Sequence, residues 1–184
     1  MNAPGTQVYL LPMTDRGASQ GLLLRCAADY AARRGIAAAD WQIAHEAGGK
    51  PYFLHVPQVH FSLSHSGEYW LCAFSSAPVG ADLQQMRGIR MEPIVRRFYF
   101  PRERELVEAF GVSMFYEIWC AKEAYLKYAG SGLDGLHCNV DAGGETSAKK
   151  QIDGVRCQTL ELPIEGYCAC VCGGSGQIVL SKIE

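Results

Sequence analysis

Apolar and polar residues follow two different periods along this chain, and the changes of period mark its elements. Val8-Tyr-Leu-Leu11 is a short apolar run that predicts a first strand. From Ala18 to Arg34 the apolar positions Leu22, Leu23, Cys26, Ala27 and Tyr30 recur every three or four residues. That spacing predicts a helix, with Arg33-Arg34-Gly35 as its C-terminus. Trp41–Ala44 reads as a short strand and Gly48-Gly49-Lys50-Pro51 as a turn. His60–His65 alternates polar and apolar, as a half-buried strand does. Ser66-Gly67-Glu68 turns the chain, Tyr69–Phe74 returns as a buried strand, and Ala77-Pro78 leads to a further strand over Val79–Leu83.

The second half repeats this order of elements. Helices are predicted near Met91–Phe98, over Pro101–Phe110 and from about Ser113 to Ala129, the last ended by Gly130-Ser-Gly132. Strands follow over Gly154–Leu162, Tyr167–Cys172 and Gln177–Ser181, while Ala142–Lys150 has the composition of an exposed loop. The fold class is therefore α+β: a pseudo-twofold pair of similar halves, each a helix packed on a small, mostly antiparallel sheet. The expected division is residues 1–78 and 79–184, although no residue-level repeat is visible.

Composition narrows the function classes. The 184 residues are 48% hydrophobic and 20% charged with a net charge of −2, an ordinary globular mix without a polybasic surface. Neither nucleic acid nor a membrane is expected as a partner. No apolar run approaches the roughly 18 residues that span a bilayer. The N-terminus lacks the features of a signal peptide, so a cytoplasmic protein is expected. The eight cysteines contain no C-x-x-C pair, and Cys168, Cys170 and Cys172 alternate along one strand face. They read as reduced, buried core thiols rather than as a metal site or a disulfide framework.

The chemistry concentrates in a few segments. Trp119, Glu123 and Lys127 lie at i, i+4 and i+8 of the last helix, with Lys122 beside them. Alone, that pattern fits a solvated Glu–Lys pair as well as a site for a metal and a polyphosphate. Asp82 and Gln84 alternate on a strand and so project to one side, where an oxygen pair suits Mg²⁺. A strand-edge aspartate capping a turn is the plainer alternative. Ser64-His65-Ser66-Gly67 offers hydroxyls, an imidazole and backbone N–H groups to one anion. Lys50-Pro51 follows two glycines, and Arg25 interrupts an apolar helical stretch. The remaining histidines have no metal-ligand spacing, and no Ser–His–Asp order, Walker loop or Rossmann glycine pattern is present.

In combination these segments resemble the Sfp-type 4′-phosphopantetheinyl transferases. Gly49-Lys50-Pro51, Phe61–Gly67, Gly80-Ala-Asp82-Leu-Gln84, Arg97–Glu103 and Trp119–Lys127 occur in that family's order, covering roughly residues 20 to 135. The resemblance implies two halves with coenzyme A and Mg²⁺, or Mn²⁺ in its place, in the cleft between them. It implies that Asp82, Gln84 and Glu123 hold the metal and that Lys127, with Lys122 beside it, faces the diphosphate. Ser64 and His65 would meet the 3′-phosphate, while Arg25, Lys50 and Pro51 would border the nucleotide. Gln84 departs from the family's glutamate and removes one negative charge from the site.

The activity implied is attack of a carrier-protein serine on the β-phosphate of coenzyme A. It transfers 4′-phosphopantetheine to an apo acyl or peptidyl carrier protein and expels 3′,5′-ADP. Glu123 would take the serine proton, directly or through water, Lys127 would stabilise the leaving phosphate, and Asp82 completes the catalytic set. A monomer is expected. The alternatives are a non-catalytic coenzyme A or carrier-binding module of the same fold, and an unrelated Mg²⁺-dependent phosphohydrolase using Asp82 and Glu123.

Overall fold

The computed structural model describes residues 5–13, 15–37, 40–131, 137–141 and 149–182. The first half contains β1 (Thr6–Pro12), α1 (Ser19–Arg34), β2 (Ile43–His45), β3 (Pro51–Phe53), β4 (His60–Ser66) and β5 (Tyr69–Ser75). The second contains β6 (Val79–Gln85), α2 (Glu92–Phe98), α3 (Pro101–Phe110), α4 (Val112–Ala129), β7 (Lys149–Ile152), β8 (Val155–Thr159), β9 (Tyr167–Gly173) and β10 (Ile178–Ser181). One four-stranded sheet runs β10-β1-β5-β4 and the other β6-β9-β8-β7, with β2 and β3 as a separate hairpin. All pairings are antiparallel except β1 with β10, where the end of the second half crosses back to complete the first sheet. The α+β expectation holds. Among the described residues no helix is long and apolar enough to cross a membrane.

Each sheet buries one face under one helix. Leu23, Cys26, Ala27 and Tyr30 of α1 pack with Phe53, Phe61, Trp70 and Phe74, and Tyr30 stacks on Phe74 at 5.4 Å between ring centroids. On the other sheet, Phe115, Ile118, Cys120 and Ala121 of α4 pack on Cys168, Cys170 and Cys172. A third cluster joins the halves, combining Val8, Leu71 and Ala73 of the first sheet with Ala81, Leu83, Ala169 and Val171 of the second. Each fully buried Val or Leu in it contributes about 1.5–3 kcal/mol.

The edges of the two sheets meet at β4 and β6, and side chains rather than a backbone ladder join them. Ala81 N–H donates to Ser62 Oγ (2.9 Å) and Gln85 N–H donates to Ser66 Oγ (2.8 Å). Between them, Ser64 Oγ–H donates to Asp82 Oδ1 (2.8 Å). The alternation that marks β4 as a strand thus places three hydroxyls along the seam. Gly80 permits the close approach of β6 to α4. A Cβ there would lie 2.0 Å from the Ala124 carbonyl oxygen and 2.3 Å from the Tyr128 nitrogen. With no side chain at that point, Asp82 is carried against α4.

Several expectations need correction. The strand expected at Trp41–Ala44 is Ile43–His45, and it pairs with a strand Pro51–Phe53 that begins inside the expected turn. Lys149-Lys150, expected in a loop, opens β7, and Lys150 is buried with its ammonium 2.9 Å from Glu117 and 3.0 Å from Thr159 Oγ1. The rest of that loop, 142–148, lies outside the described residues, as does Gly132. The cysteines are all buried, but not all reduced. Register sets Cys157 opposite Cys172 with Cα atoms 4.0 Å apart, and the two form a disulfide.

Candidate functional site

Asp82 is the centre of the seam. It is only 2% exposed, and three donors surround its carboxylate. Ser64 Oγ and Lys127 Nζ donate to Oδ1 at 2.8 and 2.7 Å, and Gln84 Nε2 donates to Oδ2 at 2.9 Å. Lys127 and Glu123 reach this point because they lie one helical turn apart on α4, the helix that Gly80 brings close. Glu123 is half-buried and has no hydrogen-bond donor among the described residues. Burial, and next the Asp82 charge, push its carboxyl above the ordinary range, while Lys127 pulls it down. Two carboxylates therefore share a partly desolvated space with one ammonium.

One cavity opens on this cluster and a second adjoins it through Gln84. The first, about 300 Å³, is lined by Gly48, Gly49, Lys50, Pro51, Phe61, Ser62, Leu63, Glu123, Leu126, Lys127 and Gly130. Its wall depends on Gly48, where a Cβ would fall 2.2 Å from the Gly130 carbonyl oxygen. The second, about 390 Å³, is lined by His65, Ser66, Gly67, Gln84, Gln85, Arg87, Ile89, Ile94, Phe115, Tyr116 and Trp119. Arg87, Arg90, Arg96 and Arg97 are all exposed in the segment that follows β6 through α2, and Arg87 borders this second cavity.

The structure brings together Asp82, Gln84, Glu123, Lys127, Lys50, Pro51 and Ser64, though not all in the expected roles. Lys50 lines the first cavity, but its ammonium bonds the Tyr128 carbonyl oxygen at 2.8 Å and so caps the end of α4. Burial lowers its pKa. Ser64 and His65 were expected to meet one anion together. They point to opposite faces because β4 stays pleated as far as Ser66, leaving Ser64 on Asp82 and His65 exposed at the second cavity. Gln84 directs its amide N–H at Asp82 rather than presenting an oxygen.

Two residues are displaced from the site altogether. Lys122 was expected beside the phosphates, yet it is fully buried on the far face of α4. Its ammonium lies 3.0 Å from Glu103, bonds the Cys138 carbonyl oxygen and sits over the Tyr99 and Phe100 rings. A helix turns by about 100° per residue, so the neighbours Lys122 and Glu123 cannot face the same way. Arg25 is exposed on α1 and lines neither of the two cavities. Conversely, Gly80 and Ser62 build the site although the motifs that contain them gave them no role of their own, and Ser66, expected at an anion, instead accepts from the Gln85 N–H. The alternating serines of 62–66 were the available signal.

Among the described residues no group of three His, Cys, Asp or Glu is placed to hold a metal ion. Two carboxylates suffice for Mg²⁺, which takes one or two and completes its shell with phosphate oxygens and water. The half-buried, donor-free Glu123 beside the Asp82 charge fits such a cation.

A sequence model of the 4′-phosphopantetheinyl transferase superfamily matches residues 78–172, which include Asp82, Glu123 and Lys127. A 4′-phosphopantetheinyl transferase of Bacillus subtilis is 38% identical over 89 residues, 46% of this chain and 39% of its own length. The 4′-phosphopantetheinyl transferase Sfp of Bacillus subtilis strain 168 is 37% identical over 89 residues, with the same shares. The 4′-phosphopantetheinyl transferase ffp of Bacillus subtilis is 34% identical over 99 residues, 52% of this chain and 44% of its own. The match thus spans less than half the length of these curated relatives.

Proposed function

Because this chain belongs to the Sfp-type 4′-phosphopantetheinyl transferase superfamily, we infer that it moves the 4′-phosphopantetheine arm of coenzyme A onto a serine of an apo carrier protein. The other product is 3′,5′-ADP. The observation that carries this reading is the Asp82–Glu123–Lys127 cluster, with one cavity lined by Glu123 and Lys127 and a second lined by Gln84, which bonds Asp82. A two-substrate transfer needs separate approaches to one reacting phosphorus. Coenzyme A would occupy the first cavity, bordered by Lys50 and Pro51, with its diphosphate against Lys127. The carrier serine would approach past Gln84 and Trp119, where the exposed arginines suit an acidic carrier surface.

Asp82 and Glu123 would hold Mg²⁺, which when bound offsets charge on the diphosphate. Ser64 and Gln84 fix the Asp82 carboxylate in one orientation. Glu123, whose pKa is raised by burial, accepts the proton of the carrier serine directly or through water. As the serine oxygen bonds to the β-phosphorus, the bond to the bridging oxygen breaks, and Lys127 follows the negative charge onto departing 3′,5′-ADP. The remainder is positioning.

Incubation with Mg²⁺, coenzyme A and an apo acyl or peptidyl carrier protein tests this. One phosphopantetheine gained per carrier, with an equal yield of 3′,5′-ADP, is expected. Phosphate release without carrier modification would indicate a phosphohydrolase, and binding without either product a non-catalytic module.

A further inference from the structure

We propose that Lys127 is the resident cation of the coenzyme-free site, so that a divalent metal gains Asp82 only when an incoming phosphate draws the lysine away. The proposal rests on the transferase reading above and adds an order of binding to it.

Asp82 Oδ1 is taken by the Lys127 ammonium at 2.7 Å. Ser64 adds a donor to the same oxygen and Gln84 a donor to the other, so Oδ1 already has two partners and Oδ2 has one. Its low exposure gives it no route to water as a replacement for Lys127. To reach Oδ1, a divalent cation arriving alone would have to break this ion pair and leave the ammonium beside itself, and at either oxygen the like charges would repel strongly in a partly desolvated space. Glu123, the carboxylate of this pair that has no donor among the described residues, cannot offset that cost alone.

Lys127 nevertheless has somewhere to go. Its side chain is 30% exposed and lines the first cavity beside Glu123. A phosphate in that cavity offers a new partner within the reach of a flexible lysine. Once the ammonium turns to it, Oδ1 is released while Ser64 and Gln84 keep the carboxylate aimed. Metal and coenzyme A then bind with positive coupling, and by linkage each strengthens the other. Metal would scarcely occupy the free protein, and coenzyme A would enter with its cation.

The test is direct Mn²⁺ binding to the full chain without coenzyme A, read by loss of the free-ion electron paramagnetic resonance signal. Lys127→Met should bind Mn²⁺ about tenfold more tightly than wild type or tighter, since the competing cation is gone. Lys127→Arg, which keeps the charge, should bind as weakly as wild type. Adding Asp82→Asn to Lys127→Met should abolish the gain. Equal or weaker binding by Lys127→Met overturns the proposal, and so does a gain that survives Asp82→Asn. Should Lys127→Met not fold, Lys127→Gln carries the same expectations. Carrier loading by wild type, measured in parallel, separates the two claims. An active wild type with unchanged Mn²⁺ affinity in Lys127→Met sinks the exchange alone, whereas an inactive wild type sinks the transferase reading.

Discussion

Two lysines on α4, Lys122 and Lys127, each meet a carboxylate, and their surroundings assign them opposite tasks. Lys122 lies 3.0 Å from Glu103 with both side chains at most 1% exposed. Glu103 is held further by the Phe100 and Val140 N–H groups, at 2.8 and 2.7 Å. That pair is closed off from solvent and bonded onward to Cys138 and Val140, so it fastens α3 and the 137–141 segment to α4. Lys127 lies 2.7 Å from Asp82, but it opens onto a cavity and has Glu123 one turn away. Charge and distance are similar in the two pairs. Access to a competing ligand is what differs, and it separates a fastener from a working group.

The sharpest way to break this comparison is Glu123→Gln. Carrier loading should fall by about 10³-fold or more, within the range for loss of a general base that also holds a metal. Stability should move the other way. Burial first, and Asp82 second, raise the Glu123 carboxyl above its ordinary 4.5. The folded state therefore holds that proton to higher pH than the unfolded chain. The associated stability is present below 4.5 and is lost as pH rises through the raised value. At pH 7 without metal, the neutral amide should raise the melting temperature by about 1–4 °C, and the gain should vanish below the ordinary carboxyl pKa. Thermal melts at both pH values check the sign.

Lys122→Met tests the closed pair. Removing one partner strands the Glu103 carboxylate in the core and should cost about 3–5 kcal/mol by denaturant titration. Lys127→Met should cost less than Lys122→Met, because Ser64 and Gln84 still donate to the Asp82 carboxylate when the ammonium is gone. Its effect should appear instead in turnover, with kcat lowered by about 10²-fold or more because Lys127 follows the leaving-group charge, together with a raised coenzyme A KM. The smallest effect is expected of Gln84→Glu. The amide now donates to Asp82 Oδ2, and a carboxylate there would exchange that bond for a third charge near the metal. Half-maximal activity should then need several-fold less Mg²⁺. Superimposable Mg²⁺ titrations would leave Gln84 as a support for Asp82 alone.

The comparison also shows what sequence can reveal. Helices over Pro101–Phe110 and Ser113–Ala129 and the strands His60–His65 and Tyr69–Phe74 are local patterns, and the structure has them within a few residues. Asp82, Glu123 and Lys127 were legible as a set because two regular elements carry them at spacings that fix their direction. Lys122 was misplaced because sequence adjacency concealed a buried partner at Glu103. Lys150 failed for the same reason, since its partner Glu117 lies on a distant helix. The returning β10, the Cys157–Cys172 bond and the Gly80 approach to α4 are long-range contacts too, and no period along the chain encodes them.

The central claim is that the open pair does the chemistry and the closed pair holds the fold. Single-turnover loading of an apo carrier, followed by intact mass at a temperature where every variant is folded, tests it most directly. Asp82→Asn should lose about 99% of the wild-type rate or more, as expected of a group that orients metal and substrate, with little change in melting temperature. Lys122→Met, despite its lower stability, should load the carrier at close to the wild-type rate. Near-normal loading by Asp82→Asn, or a folded Lys122→Met that loads no carrier, would contradict the account.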